Sequence, residues 1–195
     1  MPATIMEARR PVADQEKREP MSPKKHAERV LLLSDTHGHL HPAIRELAAS
    51  VDHIVHAGDI GDLDILRQLA TGGANLLAIR GNNDSGPRYP SDDRKTLGEL
   101  AEHAHLELPG GILVTEHGHR SNPAKRRHAI LRARYPHARL VVYGHSHRQV
   151  IDDAETPWVV NPGAAGRSRT YGGAGCVVLT IRGTKWGLEA LRFAL

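Results

Sequence analysis

The stretch Leu31-Leu32-Leu33-Ser34-Asp35-Thr36-His37-Gly38-His39 decides the fold, because an apolar run stops abruptly at polar residues. Consecutive apolar residues are typical of a strand that is buried on both faces. Asp35 and His37 follow that strand, so we expect both side chains beyond the carboxyl edge of a sheet, where open α/β folds bind ligands. Carboxylate oxygen and imidazole nitrogen are common ligands of divalent Zn, Mn, Fe and Ni. Many short loops contain one Asp-x-His motif, so the stretch alone makes Asp35 and His37 candidate metal ligands and does not assign the site.

Four later stretches repeat this pattern of an apolar strand that ends in polar residues. They end in Asp59, in Asn82-Asn83-Asp84, in His117-Gly118-His119 and in His145-Ser146-His147. Each motif alone has an ordinary interpretation, since Asp59 could cap the following helix and Asn82-Asn83-Asp84 could form a simple loop. Together the five endings are informative, because the ends of strands that share sheet edges converge in space.

The order of the predicted elements indicates two sheets. In the first half, strands alternate with helices as in a parallel α/β sheet with right-handed crossovers. These strands are Arg29–Ser34, His53–His56 and Asn75–Ile79, and the helices run from Pro42 to about Ser50 and over Asp62–Ala70. The second half is mostly strand, so we expect two packed sheets flanked by helices.

The second half contains a hairpin, one helix and a run of strands that we expect to be antiparallel. Asn122 is the predicted N-cap of the helix, which ends at about Arg134. The hairpin is formed by His105–Leu108 and Ile112–Thr115, and a separate strand follows at Leu140–Tyr143. The antiparallel run consists of Arg148–Asp152, Trp158–Val160, Gly175–Ile181 and Lys185–Arg192.

Length and composition suit one domain preceded by a tail. Residues 1–27 hold four prolines and mixed charge, so we expect a disordered N-terminal tail and a folded domain over 28–195. No apolar run approaches the ~20 residues that span a bilayer, and the N-terminus lacks a secretory h-region. The one cysteine, Cys176, excludes an intrachain disulfide framework and suits a cytoplasmic location. The net charge of +4 favours anionic partners.

The residue types fit a dinuclear centre that acts on phosphoesters. Two divalent ions ~3.5–4 Å apart can share a bridging carboxylate and a bridging hydroxide, and so clamp an in-line displacement at phosphorus. Asp59 is a good candidate for the bridging carboxylate. The mixed oxygen and nitrogen donors suit Mn, Fe, Zn, Ni or Co rather than Ca or Cu(I).

The five motifs follow one another in the order Asp-x-His, Gly-Asp, Gly-Asn-x-Asp, His-Gly-His and Gly-His-x-His. In this order the chain resembles the calcineurin-like metallophosphoesterases, most of all their small bacterial and archaeal single-domain phosphodiesterase branch. The resemblance covers Arg29 to about Leu195. It implies a four-layer αββα sandwich and metal-dependent hydrolysis of a small phosphodiester or nucleotide, with manganese favoured and a homo-oligomer as a further expectation. It implies that one metal is held by Asp35, His37, Asp59 and His147, and the other by Asp59, Asn82, His117 and His145.

One position departs from the pattern of the family. Many members have a histidine after the ligand asparagine, where it protonates the leaving group or contacts the phosphate, whereas this chain has Asn83. An amide cannot act as a general acid at neutral pH. We therefore expect good leaving groups, or a substitute donor such as His119 or His39. The candidate catalytic residues are Asp59, Asn82 and His119.

Alternatives remain for the function and for the basic residues. A nuclease or a nucleotide phosphatase could use the same dinuclear site, and a non-catalytic scaffold of this fold would be expected to show eroded ligands. Seven basic residues between Arg120 and Arg139 form either a track for nucleic acid or, more commonly, a solvated helix face. In the Asn-Pro-Gly loop that begins at Asn161, Arg167 or Arg169 could reach a substrate phosphate, or both could be exposed loop residues.

Overall fold

The structure, a computed structural model, describes residues 27–85 and 91–195. The predicted tail lies outside these ranges except for Ala27. In chain order the strands are β1 (Glu28–Leu33), β2 (His53–His56), β3 (Asn75–Ala78), β4 (His103–Leu108), β5 (Gly111–Glu116), β6 (Leu140–Val142), β7 (Val150–Asp152), β8 (Trp158–Asn161), β9 (Ala174–Arg182) and β10 (Lys185–Phe193). The helices are α1 (Pro42–Ala48), α2 (Leu63–Ala70), α3 (Ser91–Glu99) and α4 (Arg127–Arg134), and a 3-10 turn (Ala124–Arg126) precedes α4.

Strand β1 is buried on both faces, as its sequence predicts. Its side chains alternate between two cores: Leu31 and Leu33 face the helices, and Val30 and Leu32 face the second sheet. All four are completely buried, and each such side chain contributes about 1.5–3 kcal/mol to folding. The strand pairs in parallel with β2 and antiparallel with β9, so it forms the centre of its sheet.

The two sheets are mixed and have five strands each. The first has the order β10-β9-β1-β2-β3, with β1, β2 and β3 parallel. The second has the order β4-β5-β6-β8-β7, with β5, β6 and β8 parallel. The prediction that β8 belongs to a wholly antiparallel run is therefore wrong. Strand β8 pairs in parallel with β6, and only β7 runs against it.

Three apolar cores separate four layers. One core lies between the first sheet and helices α1, α2 and α3, one lies between the sheets, and one lies between the second sheet and α4. This arrangement confirms the predicted αββα sandwich. None of the helices in the described part of the chain has the length and hydropathy needed to cross a membrane.

The helices begin where their capping residues allow. The Asp62 side chain accepts a hydrogen bond from the Asp64 amide at the start of α2, and Pro42 occupies the first turn of α1. The predicted N-cap Asn122 is wrong, because Pro123 is extended and α4 starts only at Arg127. The Asn122 amide donates instead to the His119 carbonyl at 2.7 Å. Helix α3 was not predicted, since it has a weak apolar pattern.

Candidate metal centre

The five polar strand endings converge at one edge of the sandwich. The first sheet brings Asp35 and His37 after β1, Asp59 after β2 and Asn82 after β3. The second sheet brings His117 after β5, and His145 and His147 after β6. A cavity of about 610 Å³ opens here, and its lining residues are His37, Asp59, Asn82, Asn83, His145, Ser168 and Arg169. The structure thus brings together all the residues that the sequence predicted as metal ligands.

Several of these residues have an unusual backbone. Among the described residues other than glycine, seven have positive φ, and five of those are predicted ligands: Asp35 (54°), His37 (47°), Asp59 (56°), His145 (66°) and His147 (58°). A left-handed conformation is strained for a side-chain-bearing residue and persists only where the surroundings enforce it. Backbone hydrogen bonds do so here, since the Asp35 amide donates to the Gly58 carbonyl and the His37 amide donates to the Asp59 carbonyl.

One group of potential ligands forms around His147. Its Nε2 lies 3.4 Å from Asp35 Oδ1 and 3.2 Å from His37 Nε2, while His37 Nε2 lies 3.7 Å from Asp59 Oδ2. The ligand atoms of Asp35, His37 and His147 all lie within 4.8 Å of one another. This is the spacing expected of donors that face a common cation.

A second group forms around His117. Its Nε2 lies 3.4 Å from Asp59 Oδ2, and the ligand atoms of Asp35, Asp59 and His117 fall within the same 4.8 Å limit. Beside them, His145 Nδ1 lies 3.0 Å from Asn82 Oδ1. Asp35 therefore lies close to both groups, whereas the resemblance gives it to one metal only.

The histidines are oriented as metal ligands usually are. The Nδ1–H of His117 donates to the Ala57 carbonyl at 2.8 Å, and the Nδ1–H of His147 donates to the Ser168 carbonyl at 3.0 Å. These bonds use Nδ1 of each ring, so Nε2 is the nitrogen that faces the cluster and is available to a metal. The Nε2 of His117 is buried and has no hydrogen-bond partner among the described residues. A buried, unsatisfied nitrogen is unfavourable, and a cation at this point would satisfy it.

Burial also makes the local electrostatics unfavourable without a cation. Burial raises the pKa of Asp35 to about 7. Burial lowers the pKa of both His145 and His147 to about 4. For His117, burial alone would lower the pKa, but the negative charge of the Asp59 carboxylate 3.4 Å from Nε2 outweighs it and raises the pKa to about 9. A cation bound by Nε2 would replace the second proton of that ring. A divalent cation would offset the buried carboxylates, so the residues fit a metal.

Two buried side chains, His56 and Asp84, position the candidate ligands, and the sequence motifs assigned this role to neither. His56 Nδ1 accepts a hydrogen bond from the Gly58 amide, which leaves Nε2–H to donate to Thr36 Oγ1 at 2.9 Å. Thr36 lies between Asp35 and His37, so this contact ties the ends of β1 and β2 together. Asp84 accepts hydrogen bonds from the Gly61 and Gly81 amides and so joins the loops after β2 and β3. For Asp84 the available signal was its place in the Gly-Asn-x-Asp motif, whereas the burial of His56 is visible only in the structure.

The residue that departs from the family pattern has a structural partner. Asn83 donates twice to the Asp59 carboxylate, from its backbone amide at 2.9 Å and from Nδ2 at 2.6 Å. Burial would raise the pKa of Asp59, but His117 and these Asn83 donors outweigh it and hold that pKa well below its usual range. Asn83 therefore keeps the predicted bridging carboxylate ionised and oriented.

The two candidate substitute donors differ in position. The His119 ring lies 5.6 Å from His117 and 6.2 Å from His145, centroid to centroid, and its buried Nδ1 has no hydrogen-bond partner among the described residues. It lines a second cavity of about 460 Å³, which also contains Arg120 and Tyr135. Burial lowers the pKa of His119. His39 is not among the residues that line either cavity.

Most of the basic run from Arg120 to Arg139 is engaged within the fold. The partners are Glu102 for Arg120, the Tyr143 ring and Ser121 carbonyl for Arg127, Asp152 for Arg132, Glu116 for Arg134, and the Trp158 and Trp186 rings for Arg139. Because these side chains are held by contacts within the fold, the basic run is unlike an open track for nucleic acid.

Comparisons with known proteins agree with this geometry. The model of the calcineurin-like phosphoesterase superfamily domain matches residues 29–184. Phosphodiesterase MJ0936 of Methanocaldococcus jannaschii is 29% identical over 140 residues, which cover 68% of this chain and 81% of that protein.

Solved structures share the fold at low identity. Vacuolar protein sorting 29 of Cryptosporidium parvum has a TM-score of 0.66 and 17% identity, covering 87% of this chain and 99% of that one. A structure described as a novel archaeal phosphodiesterase has a TM-score of 0.62 and 22% identity, covering 84% and 99%. The match of the family model over most of the chain shows that this protein belongs to the calcineurin-like phosphoesterase superfamily.

Proposed function

We propose that the protein is a metal-dependent phosphodiesterase with a dinuclear centre. The observation that carries the proposal is the convergence of carboxylates, imidazoles and the Asn82 amide from the ends of five strands, with the buried Nε2 of His117 lacking a hydrogen-bond partner among the described residues. The likeness to phosphodiesterase MJ0936 supports the choice of a diester as substrate. A scaffold without activity is less consistent with a complete set of ligands.

Each of the two metals would have four protein ligands, and Asp59 would be shared between them. Asp35, His37, Asp59 and His147 would hold one ion, and Asp59, Asn82, His117 and His145 would hold the other. When bound, two divalent ions supply positive charge for the phosphoryl oxygens and lower the pKa of water enough to provide a hydroxide nucleophile at neutral pH. The oxygen and nitrogen donors suit Mn, with Ni, Zn, Fe and Co as alternatives.

The protein's own residues have distinct roles in this scheme. The Asp59 carboxylate lies near both His37 and His117 and would bind both ions. Asn83 keeps the Asp59 carboxylate in place through two hydrogen bonds. The Asn82 side chain lines the cavity and would orient the phosphoryl oxygens. His119 would donate the proton to the leaving group. Burial lowers the pKa of His119, so the ring is mostly neutral at pH 7, and a neutral imidazole is a weak acid. We therefore propose that diesters with good leaving groups are cleaved fastest.

A cytoplasmic location and a homo-oligomeric state complete the proposal. The location is inferred from the single cysteine, Cys176, which is buried. The oligomeric state is inferred from the small phosphodiesterase branch that the motifs resemble. A nucleotide phosphatase or a nuclease on the same site is the alternative activity, and a comparison of substrates separates it from the proposal.

Hydrolysis of bis(4-nitrophenyl) phosphate and of 4-nitrophenyl phosphate tests the proposal. The protein is stripped with a chelator and refilled with Mn, Ni, Zn or Mg in turn. Removing even a partner of a metal ligand costs about 10- to 100-fold, so we expect Asp59→Asn to lower kcat/KM for the diester by at least about 100-fold. Asp153→Asn, which changes an exposed carboxylate, serves as the matched control. Faster cleavage of the monoester, or equal activity in Asp59→Asn, would contradict the proposal.

A further inference from the structure

Arg169 contacts the cluster directly, although it belongs to none of the five motifs. Its guanidinium Nη2 lies 3.1 Å from His147 Nε2, and the residue lines the 610 Å³ cavity. The neighbouring Arg167 is exposed and does not line this cavity. The structure thus separates two arginines that the sequence alone could not distinguish.

The contact uses the lone pair that a metal would need. The Nδ1–H of His147 donates to the Ser168 carbonyl, so its Nε2 is the acceptor and the guanidinium of Arg169 is the donor. An imidazole nitrogen has a single lone pair in the ring plane. A metal ion and the guanidinium therefore cannot occupy His147 Nε2 at the same time.

Arg169 also lacks a carboxylate partner in the described part of the chain. Five other arginines there are paired with acids: Arg67 with Asp64, Arg80 and Arg120 with Glu102, Arg132 with Asp152, and Arg134 with Glu116. The guanidinium is positively charged and planar, and once displaced from His147 it would present two parallel N–H donors to the cavity. That pair of donors matches two oxygens of a phosphate group.

No other arginine or lysine of the described residues lines this cavity. Asn83 also lines the cavity, but its side-chain amide already donates to the Asp59 carboxylate at 2.6 Å. Apart from the metals, Arg169 is thus the cationic group available to an anionic diester at this cavity.

The loop that carries Arg169 is anchored on both sides of it. Ser168 is held by His147 Nδ1, and the Tyr171 carbonyl accepts a hydrogen bond from Arg192 Nη1 at 2.9 Å. The Arg148 guanidinium lies over the Tyr171 ring at 4.3 Å. These contacts do not involve the Arg169 side chain, so its guanidinium can leave His147 while the backbone stays beside the cavity.

We propose that Arg169 binds the phosphoryl group of the substrate, and that its guanidinium and the metal compete for His147 Nε2. The inference rests on the proposed function, since it assumes a metal at His147. It assigns to Arg169 the phosphate contact that Asn83 cannot supply. Metal binding then has two results, because it fills the site and releases the residue that recognises the substrate.

Two binding measurements on Arg169→Met test the inference, with Arg167→Met as a control that removes the same charge from the same loop. Mn²⁺ alone is titrated into chelator-stripped protein by calorimetry. Inorganic phosphate is then titrated into the Mn²⁺-loaded protein. Since methionine removes a competing hydrogen bond, we expect Arg169→Met to bind Mn²⁺ about 2- to 10-fold more tightly than the unmodified protein. We expect it to bind phosphate at least about tenfold more weakly.

The opposite directions of these two changes separate the proposal from a purely structural role of Arg169, which would weaken both affinities or neither. Phosphate affinity in Arg169→Met equal to that of Arg167→Met would overturn the assignment, and an unchanged Mn²⁺ affinity would overturn the competition for His147. If the unmodified protein binds no Mn²⁺, the proposed function itself is wrong, and this inference is wrong with it.

Discussion

Backbone strain at single residues is concentrated in the candidate site. A left-handed residue other than glycine costs about 1–3 kcal/mol, so Asp35, His37, Asp59, His145 and His147 together represent a considerable cost in stability. Such a cost is tolerated where function requires a fixed direction for a side chain. The strained positions coincide with residues predicted from motifs, and this agreement between independent observations supports the assignment of the site.

Gly81 is a position where one added methyl group should damage the site. A Cβ at Gly81 would overlap the carboxylate and the amide nitrogen of Asp59. We expect Gly81→Ala to weaken Mn²⁺ binding at least about tenfold, since it displaces a ligand. We also expect it to lower the free energy of unfolding by about 1–3 kcal/mol through overpacking. Calorimetric titration and urea denaturation measure the two effects.

Gly187→Ala is the matched control, because no atom lies within 4 Å of the Cβ that it would add. Its Mn²⁺ affinity should equal that of the unmodified protein. Equal affinities for Gly81→Ala and Gly187→Ala would show that the loop after β3 does not fix the position of Asp59.

At the residue scale, the motifs predicted which residues converge better than they predicted what surrounds those residues. Asp35, Asp59 and His147 could be predicted because each follows an apolar strand in a recognisable spacing. The proximity of Asp35 to His117 could not be predicted, since it depends on how closely the two sheets pack. The support of Thr36 by His56 was missed for the same reason, because it joins two loops 20 residues apart.

At the element scale, helix α4 is attached to β7 by charge. Asp152 of β7 binds Arg132 Nη2 at 2.7 Å and His128 Nδ1 at 2.6 Å, both of which are on α4. The sequence predicted a basic helix but not its partners, since these lie in a strand that follows later in the chain. Arg127 and Arg132 are largely buried, so the charge pattern alone overstated how much of the run faces solvent.

The link between α4 and β7 gives a prediction about acid stability. The hydrogen bond from Arg132, with that from His128, lowers the pKa of Asp152 to about 2, from 3.8 in the unfolded chain. This contribution is fully present above pH 3.8 and is lost as the pH falls towards 2. We expect it to be about 1–2 kcal/mol after allowing for solvent screening. Asp152→Asn should therefore lower the free energy of unfolding at pH 6 by that amount and by much less at pH 2.

Urea denaturation at a series of pH values measures this difference, and Asp153→Asn is the control because Asp153 is an exposed neighbour. A stability loss in Asp152→Asn that is the same at pH 2 and pH 6 would show that the ion pair does not attach α4 to β7.

At the scale of the whole molecule, the site depends on both sheets. The first sheet supplies Asp35, His37, Asp59 and Asn82, and the second supplies His117, His145 and His147. The sequence predicted two sheets but not their strand order, because β9 pairs with the central strand β1 of the first sheet, and most of the chain separates the two strands. Pairings at this separation leave no local pattern in the sequence.

Because the ligands come from both sheets, metal binding should stabilise the whole fold. A ligand that binds only the folded state at 100 times its Kd adds about 2.7 kcal/mol. For a chain of this size we expect Mn²⁺ to raise Tm by about 5–10 °C over the chelator-stripped protein. Differential scanning calorimetry measures the shift, which should be much smaller for Asp59→Asn. An equal shift in that variant would place the stabilising metal elsewhere.

The number of metal ions per chain tests the dinuclear assignment most directly. The stripped protein is dialysed against Mn²⁺, and its metal content is determined by elemental analysis alongside its rate of diester hydrolysis. We expect two ions per chain at full activity, and fewer than two ions with little activity in Asp59→Asn. Full activity with one ion or none per chain would contradict the account.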